Sequence, residues 1–101
     1  RGVSAEQFFR QLTVDKSYCS ADSIDVNVGT SSIDFDPRTE ICVSKCGADR
    51  YVLVDSSKFH VRPYIDKVMK LEDIHHIITN KDVSEENIKA LKDAHIDVLL
   101  A

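Results

Sequence analysis

The chain has 101 residues, of which 43% are hydrophobic and 30% are charged. This length suits one small domain, or part of a larger one, and the composition is that of an ordered globular chain. No apolar stretch approaches the roughly 20 residues of a membrane-spanning helix, and the first residues lack the apolar segment of a signal peptide. The net charge of -4 argues against nucleic-acid binding by this segment itself.

The N-terminal stretch predicts a short amphipathic helix. Ser4 as N-cap and Gln7 at the N3 position form a capping box. Phe8 and Leu12 follow at helical spacing. Because the chain opens on Arg1 and enters this helix almost at once, we expect it to be a fragment of a longer protein.

A predicted strand begins at residues 16–19 and runs out into residues 20–25. A polar stretch then continues to Asp36, and a loop of about sixteen residues in a compact domain is usually functional or disordered. Asp36 and Pro37 suit the N-cap and the first turn of a second helix, which Gly47 can end.

The middle of the chain predicts two strands separated by a short helix. Residues 51–54 form a continuous apolar run, typical of a parallel strand buried on both faces. Pro63 can open a helix of one or two turns that extends through Lys70. Residues 74–79 contain another short strand, which stops at Asn80.

The last helix has the clearest signals. Ser84 is a favourable N-cap, and Val83 and Ile88 occupy the two positions of a hydrophobic staple. His95 stands where a glycine would end the helix most easily, and residues 96–100 form the closing strand.

Strands that alternate with helices at this spacing predict a parallel sheet with right-handed crossovers. We therefore predict an α/β fold with an open, mostly parallel sheet, flanking helices and an incomplete set of strands. Loops that follow strands gather at one edge of such a sheet, where ligands bind. The three loops concerned are residues 20–23 with 29–30, residues 55–59 and residues 79–82.

The side chains of these loops suit a polyol or a sugar phosphate. Carboxylates accept hydrogen bonds from sugar hydroxyls, and a lysine such as Lys58 neutralises a phosphate oxygen. The alternative for any single residue is that the Asp and Ser side chains cap helices, and that Lys58 is a solvated lysine with a buried stem. Asp22 and Asp25 are also a candidate general acid and base.

Metal binding is not favoured by the sequence. The odd set of Cys19, Cys42 and Cys46, without a secretory signal, indicates reduced thiols in the cytoplasm. No CxxC or HxxxH spacing occurs, and packing is the more common role of cysteine. His75 and His76 are adjacent in a predicted strand, so their side chains should face opposite sides. We predict neither a metal nor a cofactor.

Along all 101 residues the chain resembles the effector-binding C-terminal domain of DeoR-family bacterial transcriptional regulators. The most specific stretch is Y-V-L-V-D-S-S-K-F at 51–59, where a polar cluster follows a strand. D-K-S-Y-C-S-A-D-S-I-D at 15–25 supports the resemblance. So do residues 2–12, 69–80 and 86–100.

The resemblance implies a Rossmann-like sensor domain related to ribose-5-phosphate isomerase. Residues 1–101 would be its C-terminal part, and an N-terminal helix-turn-helix domain that binds operator DNA would lie outside this chain. It implies a cytoplasmic, homo-oligomeric repressor of carbohydrate metabolism without enzyme activity. A phosphorylated sugar would shift the repressor between its DNA-binding and released states.

The family's effector contacts correspond here to Ser20, Ala21, Asp22, Gly29, Thr30, Asp55 and Lys58. Ser23 stands where the family usually has glycine, and residues 37–46 match the family's helix only with shifts, so we assign no contacts there. The alternative function is a sugar-phosphate isomerase-like enzyme that uses Asp22 or Asp25 as its base. An interaction module without a ligand is the third reading.

Overall fold

The computed structural model describes residues 7, 14–33 and 46–101. The strands are β1 Val14–Ser20, β2 Ser23–Asp25, β3 Gly29–Ser32, β4 Gly47–Leu53, β5 Asp66–Lys70, β6 His76–Thr79 and β7 Asp97–Leu100. An α-helix, α1, spans Glu85–Asp93, and 3-10 helices span Ser56–Phe59 and Leu71–Asp73. Apart from Gln7 and Cys46, the helices predicted at residues 4–12 and 37–46 lie outside the described residues.

The strands form two sheets. β1, β4, β6 and β7 make a four-stranded parallel sheet in that order, and β2, β3 and β5 make a three-stranded antiparallel sheet. Val52 and Ile77 lie in register at the centre of the parallel sheet and are fully buried. Leu91 of α1 packs into the same core. The predicted α/β fold with an open, mostly parallel sheet is therefore confirmed.

The predicted end signals of α1 are also confirmed. The Ser84 Oγ accepts a hydrogen bond from the backbone N–H of Asn87 at 3.1 Å, as an N-cap does. His95 takes a positive φ of 64°, and its N–H donates to the Lys92 carbonyl at 2.9 Å. None of the described helices is long and apolar enough to cross a membrane.

Residues 34–36 of the long loop predicted after β1 lie outside the described residues. For residues 23–32 the prediction is wrong, because they form the β2–β3 hairpin. The hydroxyl residues of this hairpin are buried rather than solvated: Ser23, Thr30, Ser31 and Ser32 are at most 5% exposed. Three of them bond to backbone groups of residues 61–69. The Ser23 hydroxyl donates to the Val61 carbonyl (2.7 Å), the Ser31 Oγ accepts from the Tyr64 N–H (2.9 Å), and the Thr30 Oγ1 accepts from the Met69 N–H (3.1 Å).

The helix predicted from Pro63 through Lys70 is also wrong, because residues 66–70 form β5 and pair antiparallel with β3. The fixed φ of proline is compatible with extended chain as well as with a first helical turn. Met69 is 2% exposed in the core, and its N–H is satisfied by Thr30. Tertiary pairing of this segment thus overrides its local helical signal.

Candidate functional site

The carboxyl ends of the parallel strands lie in one row. Ser20 of β1 pairs in register with Leu53 of β4, Leu53 with Ile78 of β6, and Ile78 with Leu99 of β7. Adjacent strands are about 4.8 Å apart. The segments that follow β1, β4 and β6 therefore leave the sheet at the same edge, as predicted. Residues 29–30, which the prediction added to the first loop, instead lie in β3 of the antiparallel sheet.

A polar cavity of about 160 Å³ opens where β1 ends. Asp22 fixes its wall, because the carboxylate Oδ2 accepts hydrogen bonds from the Ile33 N–H at 2.9 Å and the Ser32 hydroxyl at 3.3 Å. The structure thus brings together three of the sequence-selected residues and two hydroxyls of β3. The lining residues are Ser20, Ala21, Asp22, Ser31, Ser32 and Val68.

The polar cluster after β4 forms the 3-10 helix Ser56–Phe59, which Asp55 caps. The Asp55 carboxylate accepts hydrogen bonds from the Ser57 hydroxyl and from the Ser57 N–H, the latter at 2.9 Å. These bonds and the positive charge of Lys58 lower the pKa of Asp55 below its usual value. Lys58 is half-buried in the last turn of this helix.

Asn80 at the end of β6 holds the start of the 3-10 helix Ser56–Phe59. Its side-chain oxygen accepts from the Ser56 N–H at 2.6 Å, and its amide nitrogen donates to the Ser56 hydroxyl at 3.1 Å. The same nitrogen donates to Asp82 at 3.3 Å. The sequence placed Asn80 at the sheet edge, but we did not include it among the site residues. Its hydrogen bonds to Ser56 join residues 24 positions apart, and a local sequence pattern does not reveal such a contact.

A second cavity, of about 370 Å³, lies beyond the ends of β4, β6 and β7. Its walls are mostly apolar, and Asp55 and Asn80 supply polar groups at its rim. Lys58 lines neither of the two cavities. The lining residues are Leu53, Val54, Asp55, Ile78, Thr79, Asn80 and Ala101.

The 3-10 helix Ser56–Phe59 and the hairpin lie side by side. This helix packs against β2, and the Ser23 hydroxyl of β2 binds the Val61 carbonyl just beyond it. Ser23 is fully buried in this contact. The polar cavity and the segment that carries Lys58 therefore belong to one packed region.

Comparison with known protein families matches residues 1–81 to the DeoR C terminal sensor domain. The chain belongs to this family. Domains of this family are regulatory, and this chain is the ligand-sensing domain of a regulator. The match includes every residue that we assigned to effector binding. A search of curated proteins finds no match.

Gly29 and Thr30 of the sensor domain lie in β3, against β5, and neither lines the polar cavity. Gly29 has a φ of 127°, and a Cβ at this position would lie 2.1 Å from the Met69 carbonyl oxygen. Thr30 is 2% exposed. Both residues therefore fix the pairing of the hairpin with β5.

Asp22 directly precedes the short strand β2, and Asp25 is the last residue of that strand. Three residues of extended chain span about 10 Å. The Asp25 carboxylate is used locally, where it accepts from the Asn27 N–H at 2.8 Å in the hairpin turn. The sensor domain does not bring these two carboxylates together as an acid and base pair.

His75 and His76 of the sensor domain do not face opposite sides as predicted. Both rings approach the same carboxylate oxygen of Asp49, at 3.8 Å for His75 Nδ1 and 2.7 Å for His76 Nε2. The strand geometry behind the prediction does not apply, since His75 precedes β6. Within the described ranges, no group of three or more acidic, histidine or cysteine side chains is arranged to hold a metal ion. Cys42 lies outside these ranges.

Proposed function

We propose that this sensor domain binds a small phosphorylated sugar at the carboxyl edge of its parallel sheet. One observation carries the proposal: the polar cavity at residues 20–22 and the Lys58 segment follow the neighbouring strands β1 and β4, whose ends are in register. Carboxylate and hydroxyl groups that suit a polyol thus lie at the same edge of the sheet as a lysine that suits an anion.

The chemistry of each group fits one part of such a ligand. Both hydrogen bonds to Asp22 end at Oδ2, which leaves Oδ1 for a sugar hydroxyl. Ser20 is exposed at the cavity and supplies a hydroxyl of its own. Lys58 provides a charge-assisted hydrogen bond to phosphate, and Asp55 holds the turn that carries it. Gly29 and Thr30 support the site through the hairpin.

In this proposal the ligand controls a cytoplasmic, homo-oligomeric repressor. A helix-turn-helix domain N-terminal to the sensor domain binds operator DNA, and the ligand changes its affinity. A ligand shifts such an equilibrium only by binding the two states with different affinities. Lys58 and Asp22 would then contact the ligand more closely in one state than in the other.

Operator release by the full-length gene product tests the proposal. Release would be measured by fluorescence anisotropy of labelled operator DNA against a panel of pentose and hexose phosphates. Loss of a charge-assisted hydrogen bond costs about 1.5–3 kcal/mol, so Lys58→Ala should raise the half-effective concentration roughly 10- to 100-fold. Affinity for the operator without effector should stay unchanged.

Lys92→Ala is the matched control, because Lys92 is an exposed lysine on α1, away from the sheet edge. It should respond to effector as the parent protein does. If Lys58→Ala responded to every effector with the parent's sensitivity, Lys58 would not belong to the site. Turnover of a sugar phosphate by the protein would favour the isomerase-like enzyme instead.

A further inference from the structure

Four aligned side chains cross the parallel sheet at a distance from the candidate site. Tyr18, Tyr51, His76 and Asp97 are register partners on β1, β4, β6 and β7. The rings of Tyr18 and Tyr51 stack with centroids 4.7 Å apart, and those of Tyr51 and His76 stack at 4.2 Å. His76 begins β6, the strand whose other end carries Thr79.

His76 lies between two carboxylates from different strands. Its Nδ1 is 3.0 Å from Asp97 Oδ2 of β7, and its Nε2 is 2.7 Å from Asp49 Oδ1 of β4. A neutral imidazole carries one N–H, whereas the imidazolium carries two, so only the protonated ring can donate to both carboxylates. We propose that Asp49, His76 and Asp97 form a proton-dependent clamp, which joins β4, β6 and β7 while His76 is protonated.

The other charged and titratable groups around the clamp have partners of their own, so His76 is the group that donates protons to the two carboxylates. His75 Nδ1 accepts the Arg50 N–H at 2.9 Å, so this nitrogen has no proton to donate to Asp49. Lys16 lies over the Tyr51 ring, with Nζ 5.7 Å from its centroid. The Arg50 guanidinium is directed to Asp73, at 3.9 Å, rather than to Asp49.

The His76 ring is partly sheltered, whereas the Asp49 and Asp97 side chains are 39% and 59% exposed. The His76 side chain is 22% exposed, and the Tyr51 ring covers one of its faces. Partial burial acts to lower the pKa of His76, but the hydrogen bonds to Asp97 and Asp49 and the attraction of both carboxylates outweigh it and raise the pKa above 6.5.

The direction of the pH effect follows from this raised pKa. Since the folded-state pKa is above the unfolded one, the clamp stabilises the protein fully below about pH 6.5. Its contribution is lost as the pH rises through the folded-state pKa. Above that value one of the two hydrogen bonds has no proton, and only one neighbouring strand remains joined to β6 by the ring.

NMR titration of the histidine ring protons of the protein tests the proposal. We expect the His76 midpoint to lie above 6.5, and to fall by about 0.5 pH unit or more in Asp97→Asn and again in Asp49→Asn, since each variant removes one attracting carboxylate. Asp93→Asn is the control with the same loss of charge. Asp93 is exposed on α1 and pairs with Lys89, so this variant should leave the His76 midpoint unchanged.

The two asparagine variants keep the histidine, so the titration is informative even where His76→Gln fails to fold. A His76 midpoint at or below 6.5 would overturn the clamp. So would a midpoint above 6.5 that neither Asp97→Asn nor Asp49→Asn lowers. The readout does not involve effector or operator, and its outcome is therefore independent of the proposed function.

Discussion

Replacement of Thr30 by valine tests whether buried hydroxyls hold the antiparallel sheet together. The Thr30 Oγ1 accepts the Met69 N–H at 3.1 Å in a site that is 2% exposed. Valine has nearly the same shape but no acceptor, so the Met69 N–H would be buried without a partner. An unsatisfied buried donor costs about 1–3 kcal/mol.

Thr79 offers a matched control, because the substitution of valine at this position should raise the free energy of unfolding or leave it unchanged. Thr79 is 3% exposed, and its Oγ1 is buried without a hydrogen-bond partner in the structure as described. Thr79→Val removes a hydroxyl that carries a desolvation cost and makes no bond. The free energy of unfolding of the Thr79→Val variant should therefore equal or exceed that of the parent protein.

Urea and thermal denaturation of the two variants measure the difference. For a domain of about 100 residues, 1 kcal/mol corresponds to roughly 4–8 °C in Tm, so Thr30→Val should melt several degrees below the parent while Thr79→Val does not. Equal destabilisation by the two variants would refute the reasoning, since it would mean that loss of a threonine hydroxyl, rather than of its bond, determines the cost.

Two further substitutions test the candidate site and the hairpin that supports it. Asn80→Ala should remove both hydrogen bonds to Ser56, lower the free energy of unfolding by about 1–3 kcal/mol and speed hydrogen exchange at the Ser56 amide. Asn87→Ala is the control: only the backbone N–H of Asn87 takes part in the helix cap, so exchange at the Ser56 amide should stay unchanged. Gly29→Ala should lower the free energy of unfolding by about 1–3 kcal/mol or more, because the φ of Gly29 is 127° and the new Cβ would meet the backbone of β5. Asn27→Ala in the same hairpin is the control and should unfold like the parent protein, because it keeps the bond from its backbone N–H to Asp25. Unchanged Ser56 exchange in the first case, or parent-like unfolding of the glycine variant in the second, would contradict these contacts.

Local signals predicted the parts of the fold that local energetics determine. The α1 helix has a Ser84 cap and apolar residues on one face, so its start was predictable within the sequence itself. The order of strands and helices was enough to predict the parallel sheet, because right-handed crossovers leave few alternatives. The gathering of strand ends at one edge followed directly from that topology.

The hairpin could not be predicted in the same way, because its hydroxyl residues have the composition of a loop. The sequence G-T-S-S at 29–32 is typical of solvated chain, yet all four residues are buried. The hydrogen-bond partners of the Ser23, Thr30 and Ser31 hydroxyls lie in residues 61–69, more than 30 positions away. Only tertiary pairing supplies the acceptors and donors that make burial of such groups favourable.

The sites that depend on register were missed for a related reason. Asn80 reaches Ser56 across 24 positions, and His76 meets Asp49 and Asp97 only when three strands are aligned. A sequence pattern identifies which residues share an edge of the sheet. It does not specify which side chains bond across that edge.

Calorimetric titration of the full-length gene product with phosphorylated sugars tests the central claim most directly. The account predicts saturable binding of a sugar phosphate, much weaker binding of the same sugar without phosphate, and a Kd raised roughly 10- to 100-fold by Lys58→Ala but not by Lys92→Ala. Equal affinity for the phosphorylated and unphosphorylated sugar, or parent-like binding by Lys58→Ala, would contradict a phosphate site at this edge of the sensor domain.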